Sequence, residues 1–127
     1  MIVPDVRLKL KAQLYCGEEI AMGPGKASLL EAIDAHRSIS GAARALGMSY
    51  RRAWLLVDVM NRCWQSPLVT TSMGGARGGG AHVTALGHDV LAHYRALESQ
   101  LESSTSSADW AALVGRVRTL PRERTEG

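Results

Sequence analysis

Between Ser38 and Pro67 the chain carries two helical patterns separated by one glycine, an arrangement that few folds accommodate. Ser38 stands where a short helix over 39–46 needs an N-cap, because its hydroxyl can accept an orphan N–H of the first turn. Gly47 comes where the chain must turn through positive φ. Ser49 can then cap a second helix running to about Trp64, and Pro67 cannot continue it. Two helices crossing steeply need a small residue at their contact, and Ala43 stands four residues before Gly47. Ala42, Leu46, Met48, Ala53 and Leu56 are the apolar positions expected to face the core around this turn. Along the second helix, Ala53, Leu56, Val57, Met60 and Trp64 make the expected buried stripe, with Arg51, Leu55, Asp58 and Arg62 opposite.

The flanking texture extends the pattern. Leu68 to Ser72 is β-prone, residues 74–80 are nearly all glycine, and Ala81 to Thr84 is β-prone again, which reads as a hairpin with a glycine tip. Thr84 can cap a long final helix with Leu86, Val90, Tyr94, Leu97 and Leu101 at three- and four-residue spacing. Before Ser38, Leu29, Leu30 and Ile33 predict a helix over 26–36. Arg7 to Tyr15 alternates Leu8, Leu10, Ala12 and Leu14 with basic residues and Gln13, which predicts a strand, and 17–25 reads as a turn-rich connection. After the long helix, 103–107 is a serine-rich break, 109–114 one or two further turns, and 116–127 a charged, loose tail. The expected fold class is mainly α with a small β-hairpin, a winged helix-turn-helix with a long C-terminal dimerisation helix. Residues 1–102 form the expected domain and 103–127 a partly disordered extension.

Charge points to a partner class. The 127 residues carry a net +3, yet the segment from Arg37 to Arg95 alone carries +5, while the flanks are each −1. Excess positive charge gathered in the middle suits a polyanion. Within it, the first turn of the second helix presents Ser49, Tyr50, Arg51 and Arg52, where such a helix pair meets base edges. Arginine can pair with guanine O6 and N7, and the hydroxyls can reach phosphate or base. Ser40 and Arg44 on the preceding helix and Arg77 at the glycine tip complete the expected DNA-contacting set, with Gly47 as the structural turn. No run of 18 apolar residues suggests a membrane span. Cys16 and Cys63 lie far apart without a CxxC pairing, so free thiols and a cytoplasmic location are expected.

The residues Ser38-Ile39-Ser40-Gly41-Ala42-Ala43-Arg44-Ala45-Leu46-Gly47-Met48-Ser49-Tyr50-Arg51-Arg52-Ala53-Trp54 resemble the N-terminal domain of the ModE family, the molybdate-responsive transcription regulators of bacteria. So do Pro67-Leu68-Val69, the glycine runs 74–75 and 78–80 with Ala81, Val83-Thr84 and Leu86-Gly87. The similarity spans about Gly25 to Glu98, and SY-x-x-AW with GG…GGGA is its specific part. It implies a winged helix that dimerises and binds operators, with the helix from Ser49 to Trp64 in the major groove. Ser49, Tyr50 and Arg51 would then lie at the DNA and Arg77 in a wing over residues 73–81; Trp54 is taken as structural. The chain departs from the family in having Arg37 where glycine is common, and in having only about thirty residues after the long helix. Molybdate is therefore not expected to bind this chain, and no cofactor is expected.

Other chemistries read poorly. Neither G-x-G-x-x-G nor the P-loop pattern fits residues 74–80. His88 and His93 are five apart and diverge on a helix, so His82, His88, His93 and Cys63 are not expected to gather a metal. Glu31, Asp34 and Asp58 make no evident carboxylate pair, and no enzyme is expected. Val90, Tyr94, Leu97 and Leu101 are expected to form a homodimer interface, since symmetric operators favour symmetric dimers. The alternative function is a winged-helix protein-interaction module docking a partner protein through the long helix.

Overall fold

The computed structural model describes residues 6–75 and 78–124. Its elements are β1 (Leu14–Cys16), β2 (Glu19–Met22), α1 (Pro24–His36), α2 (Ile39–Leu46), α3 (Tyr50–Cys63), β3 (Val69–Gly75), β4 (Gly78–Val83), α4 (Ala85–Glu102) and α5 (Ala108–Val114). The chain is mostly helical, with two separate two-stranded antiparallel sheets, β1–β2 and β3–β4. It divides into two compact units, Lys11–Leu97 and the remainder formed by 1–10 with 98–127. The 1–102 domain expected from sequence is thus cut at Lys11 and at Leu97.

In the Lys11–Leu97 unit the core is aliphatic. Met22, Leu29, Leu30, Ile33, Met60 and Leu68 are fully buried, with Ala27, Ala42, Ala43 and Ala53 allowing close approach of α1, α2 and α3. Pro24 opens α1 at its first turn, where its missing N–H costs nothing. The α1 C-cap is Arg37, a non-glycine residue in the left-handed region at φ 57°. Its carbonyl accepts the Ala81 N–H at 3.0 Å, which ties the α1–α2 corner to β4.

The junction from α3 through the β3–β4 hairpin to α4 is dense in polar contacts. Asn61 Oδ1 accepts from the Leu68 and Val69 N–H groups at 2.9 and 3.1 Å, and its Nδ2 donates to the Val69 carbonyl. Thr84 Oγ1 donates to the Pro67 carbonyl and accepts from Gly87 N–H, capping α4 as the sequence suggested. A Cβ on Gly87 would stand 2.4 Å from the Leu68 carbonyl oxygen. The β3–β4 register pairs Val69 with Val83 and Ser72 with Gly80, and it shifts between Ser72 and Gly75.

Two expectations at the N-terminal side need correction. Residues 7–13 are not a strand; β1 begins only at Leu14, and Leu8, Leu10 and Leu14 are exposed. Alternation marks a strand only where a partner strand and a core accept the two faces. The segment expected as a turn contains β2, because Gly17 at φ 59° closes a hairpin and Ala21 and Met22 enter the core. The other unit holds the last turn of α4, a 3₁₀ turn over Ser103–Ser106 and α5, whose first turn Ser107 caps through Trp110 N–H.

Two substitutions test this account by their signs. Helix propensity alone would favour Gly87→Ala by about 1 kcal/mol. Because the new methyl meets a backbone oxygen, the variant should instead lose about 1–3 kcal/mol in denaturant unfolding. Arg37→Gly should gain up to about 1 kcal/mol, since relieving about 1–2 kcal/mol of left-handed strain outweighs glycine's freedom when unfolded.

Candidate nucleic-acid interface

Both caps of the helix pair are formed. Ser38 Oγ accepts from Gly41 N–H at 2.9 Å and Ser49 Oγ from Arg52 N–H at 3.0 Å. Gly47 adopts φ 66° and ψ 28°, its N–H bonding back to the Ala43 and Arg44 carbonyls. The turn over residues 47–49 therefore delivers the chain into α3 with its first turn facing solvent. Of the apolar positions expected around this turn, Ala42 and Ala53 are buried and Met48 and Leu56 half-buried. Leu46 is a correction: it is 38% exposed, because α2 ends within a turn of it and its face has left the core.

The predicted DNA-contacting residues that the structure describes lie on the surface. Ser40, Arg44, Ser49, Tyr50, Arg51 and Arg52 are all exposed, the first two on α2 and the rest at the start of α3. Arg77 lies outside the described residues. The Tyr50 and Trp54 rings, one helical turn apart, meet edge to face with centroids 6.1 Å apart. Trp54 is exposed rather than a core residue, so its structural part is to flank Tyr50 and limit its rotamers.

The arginines differ in whether a carboxylate holds them. Arg62 pairs with Asp58 at 2.9 Å and reaches Glu19 at 3.8 Å, and Arg95 binds Glu31 at 2.6 Å. Among the described residues, Arg44, Arg51 and Arg52 make no ion pair. Arg51 and Arg52 stand in the first turn of α3, whose own dipole adds positive potential, and Arg44 is in the last turn of the preceding helix. This surface suits phosphate oxygens and guanine edges.

The residues expected for dimerisation divide. Val90 and Tyr94 are buried in the core of the Lys11–Leu97 unit, and Tyr94 OH donates to the Ala12 carbonyl at 2.7 Å. Leu97 and Leu101 are 46% and 40% exposed. The four residues of the expected stripe therefore differ in exposure within the single chain. A cleft of about 740 Å³ lies beside α4, lined among others by Leu14, Trp64, Val90, Tyr94 and Leu97. Asp34 pairs with His88 at 3.0 Å, and His93 with Asp89. Among the described residues no three His, Cys, Asp or Glu side chains gather as metal ligands, and no helix is long and apolar enough to cross a membrane.

Sequence reasoning missed Asn61, whose three hydrogen bonds position the hairpin against α3; an asparagine two residues before the end of a helix carries no signal until its partners are known. It also missed that Cys16 and Cys63 meet, since 46 residues separate them in the chain.

No protein-family model matches the chain. Its homologues among curated proteins are ModE, MopA and MopB proteins. It is 42% identical over 80 residues to the molybdenum-pterin-binding protein MopA of Rhodobacter capsulatus, covering 63% of this chain and 30% of that protein. It is 40% identical over 84 residues to the molybdenum transport protein ModE of Azotobacter vinelandii, covering 66% and 31%. Similarity to the DNA-binding transcriptional dual regulator ModE of Escherichia coli (strain K12) is 34% over 90 residues, covering 71% and 33%. The chain spans about a third of the length of the curated relatives it matches.

The turn assignment has a specific test. A Cβ at Gly47 would meet nothing within 4 Å, so any cost of substitution there is conformational. Gly47→Val should lower stability by about 1–2 kcal/mol, while Gly47→Asn, which tolerates the left-handed region, should lose about half of that or less. Equal melting of the two variants would remove the turn from the explanation.

Proposed function

We propose that this chain is a sequence-specific regulator of transcription that binds double-stranded DNA as a winged helix-turn-helix. The helix from Ser49 to Trp64 enters the major groove, and the glycine-rich hairpin over residues 73–81 lies on the flanking groove. The observation that carries this reading is that exposed Arg44 of α2, and Arg51 and Arg52 beside Tyr50 at the capped start of α3, make no ion pair among the described residues. Ser40, Ser49 and Arg44 contact the sugar-phosphate wall and Arg51 reads a base, with Arg52 and Arg77 as further phosphate contacts. The relatives named as transcriptional regulators, one of them as DNA-binding, support it, since they match this chain over more than two thirds of its length.

The chain acts as a cytoplasmic homodimer, with exposed Leu97 and Leu101 of α4 meeting a second copy so that two α3 helices reach successive grooves. Molybdenum appears in the names of MopA and of the Azotobacter ModE. For this chain we favour DNA binding that does not respond to molybdate. An oxyanion held against water needs several converging donors in a shielded pocket, whereas Arg44, Arg51 and Arg52 are exposed and would hold it only in competition with phosphate.

Selection of bound sequences from random duplexes, with and without micromolar molybdate, tests both statements. Arg51→Ala should weaken binding to the selected site by about 1–3 kcal/mol and relax preference at one base pair. Arg44→Ala should weaken all sequences alike and reduce the salt slope by about one. An Arg51→Ala protein that is folded and keeps the wild-type preference would refute the recognition assignment.

A further inference from the structure

The C-terminal end of α3 and the tip of the β1–β2 hairpin hold a second piece of chemistry, separate from the arginine surface. The hairpin register sets Cys16 opposite Glu19. Arg62 reaches Glu19 at 3.8 Å, and Trp64 Nε1–H donates to the Ala21 carbonyl at 3.0 Å, so the hairpin is docked on the residues either side of Cys63. The only two cysteines in the sequence are thereby brought to the same corner, Cys16 opposite the Glu19 that Arg62 reaches and Cys63 between Arg62 and Trp64, and the two thiols influence one another. Cys16 is exposed; Cys63 is half-buried and lines the cleft beside α4.

We propose that Cys16 and Cys63 form a reversible intramolecular disulfide in response to a peroxide, latching the β1–β2 hairpin to the end of α3. Exposed Cys16 reacts first. Its thiolate sulfur attacks one oxygen of hydrogen peroxide, the O–O bond breaks, and the departing hydroxide takes a proton to leave as water, giving a sulfenic acid at Cys16. The Cys63 sulfur then attacks the Cys16 sulfur, the S–O bond breaks, and the hydroxyl leaves with the Cys63 proton as a second water. Two thiols are oxidised by two electrons and one peroxide is reduced. The division of labour follows from exposure: solvent reaches Cys16 freely, so it meets the peroxide first, whereas Cys63 is half-buried beside the cleft and suits the resolving step. The inference does not depend on DNA binding.

The test uses the full chain at low micromolar concentration with a few equivalents of hydrogen peroxide, followed by an alkylating agent. Intact mass should show loss of two hydrogens and no alkylation, at monomer mobility without reductant, and proteolysis should yield the Cys16 and Cys63 peptides joined. The closed loop is long, so Tm should rise by more than about 5 °C and return on addition of a dithiol. Cys16→Ser and Cys63→Ser, changes of one atom at exposed or half-exposed sites, should melt with the reduced wild type yet show no peroxide-dependent rise. Cys16 over-oxidised with Cys63 still alkylatable, a disulfide-linked dimer as main product, or an intramolecular disulfide without a Tm rise would each overturn the proposal.

Discussion

The peptide of Leu68 is the point on which three parts of this fold converge. Its N–H is held by Asn61 of α3, and its carbonyl accepts the Thr84 N–H at 2.9 Å, the residue that caps α4. Its side chain is fully buried, and Gly87 of α4 leaves the space its carbonyl oxygen occupies. A buried backbone group without a partner costs about as much as a lost hydrogen bond, so each of these contacts is a requirement of burying Leu68. The same contacts set the β3–β4 hairpin relative to α3. Orientation of the hairpin against α3 thus depends on residues outside the proposed contact surface.

The proposed contact surface shows a division between neutralised and unneutralised charge. Arg62 and Arg95 hold carboxylates and help dock neighbouring elements. Those exposed pairs contribute little stability individually. Among the described residues Arg44, Arg51 and Arg52 make no ion pair, so in the proposed function their charge is available to phosphate. Capping explains why they stand where they do. Ser38 and Ser49 satisfy the first N–H groups of α2 and α3 from within the chain, and Gly47 supplies the left-handed step between them. The surface is therefore rigidly presented without any of the arginines being spent on holding it.

At the opposite end of α3, aromatic side chains do the anchoring. Trp64 and Tyr94 each put an apolar ring against the core and donate a hydrogen bond from the polar end, to the carbonyls of Ala21 and Ala12 respectively. Both bonds go to the backbone of the segment around the β1–β2 hairpin, which has few buried side chains of its own. This hairpin is kept in place by what it docks against, and that is how Cys16 comes to face Cys63.

Local chemistry made the centre of the fold legible from sequence. The caps made by Ser38, Ser49 and Thr84 and the turn at Gly47 involve residues within four positions, and the 3.6-residue period of α3 directly specifies Ala53, Val57 and Met60 as its buried face. The arginines at the start of α3 followed from the same local pattern. Tertiary structure alone decided the rest. The alternation over residues 7–13 satisfied the rule for a strand but found no partner, while β2, with no alternation, formed because Ala21 and Met22 had a core to enter. Val90 and Tyr94 share a spacing with Leu97 and Leu101, yet only packing settles that the first pair is buried and the second exposed. Asn61, Arg37 and the Cys16–Cys63 contact are invisible in the one-dimensional pattern for the same reason. Each depends on a partner brought near by folding, and short-range propensity carries no information about which distant backbone or thiol that will be.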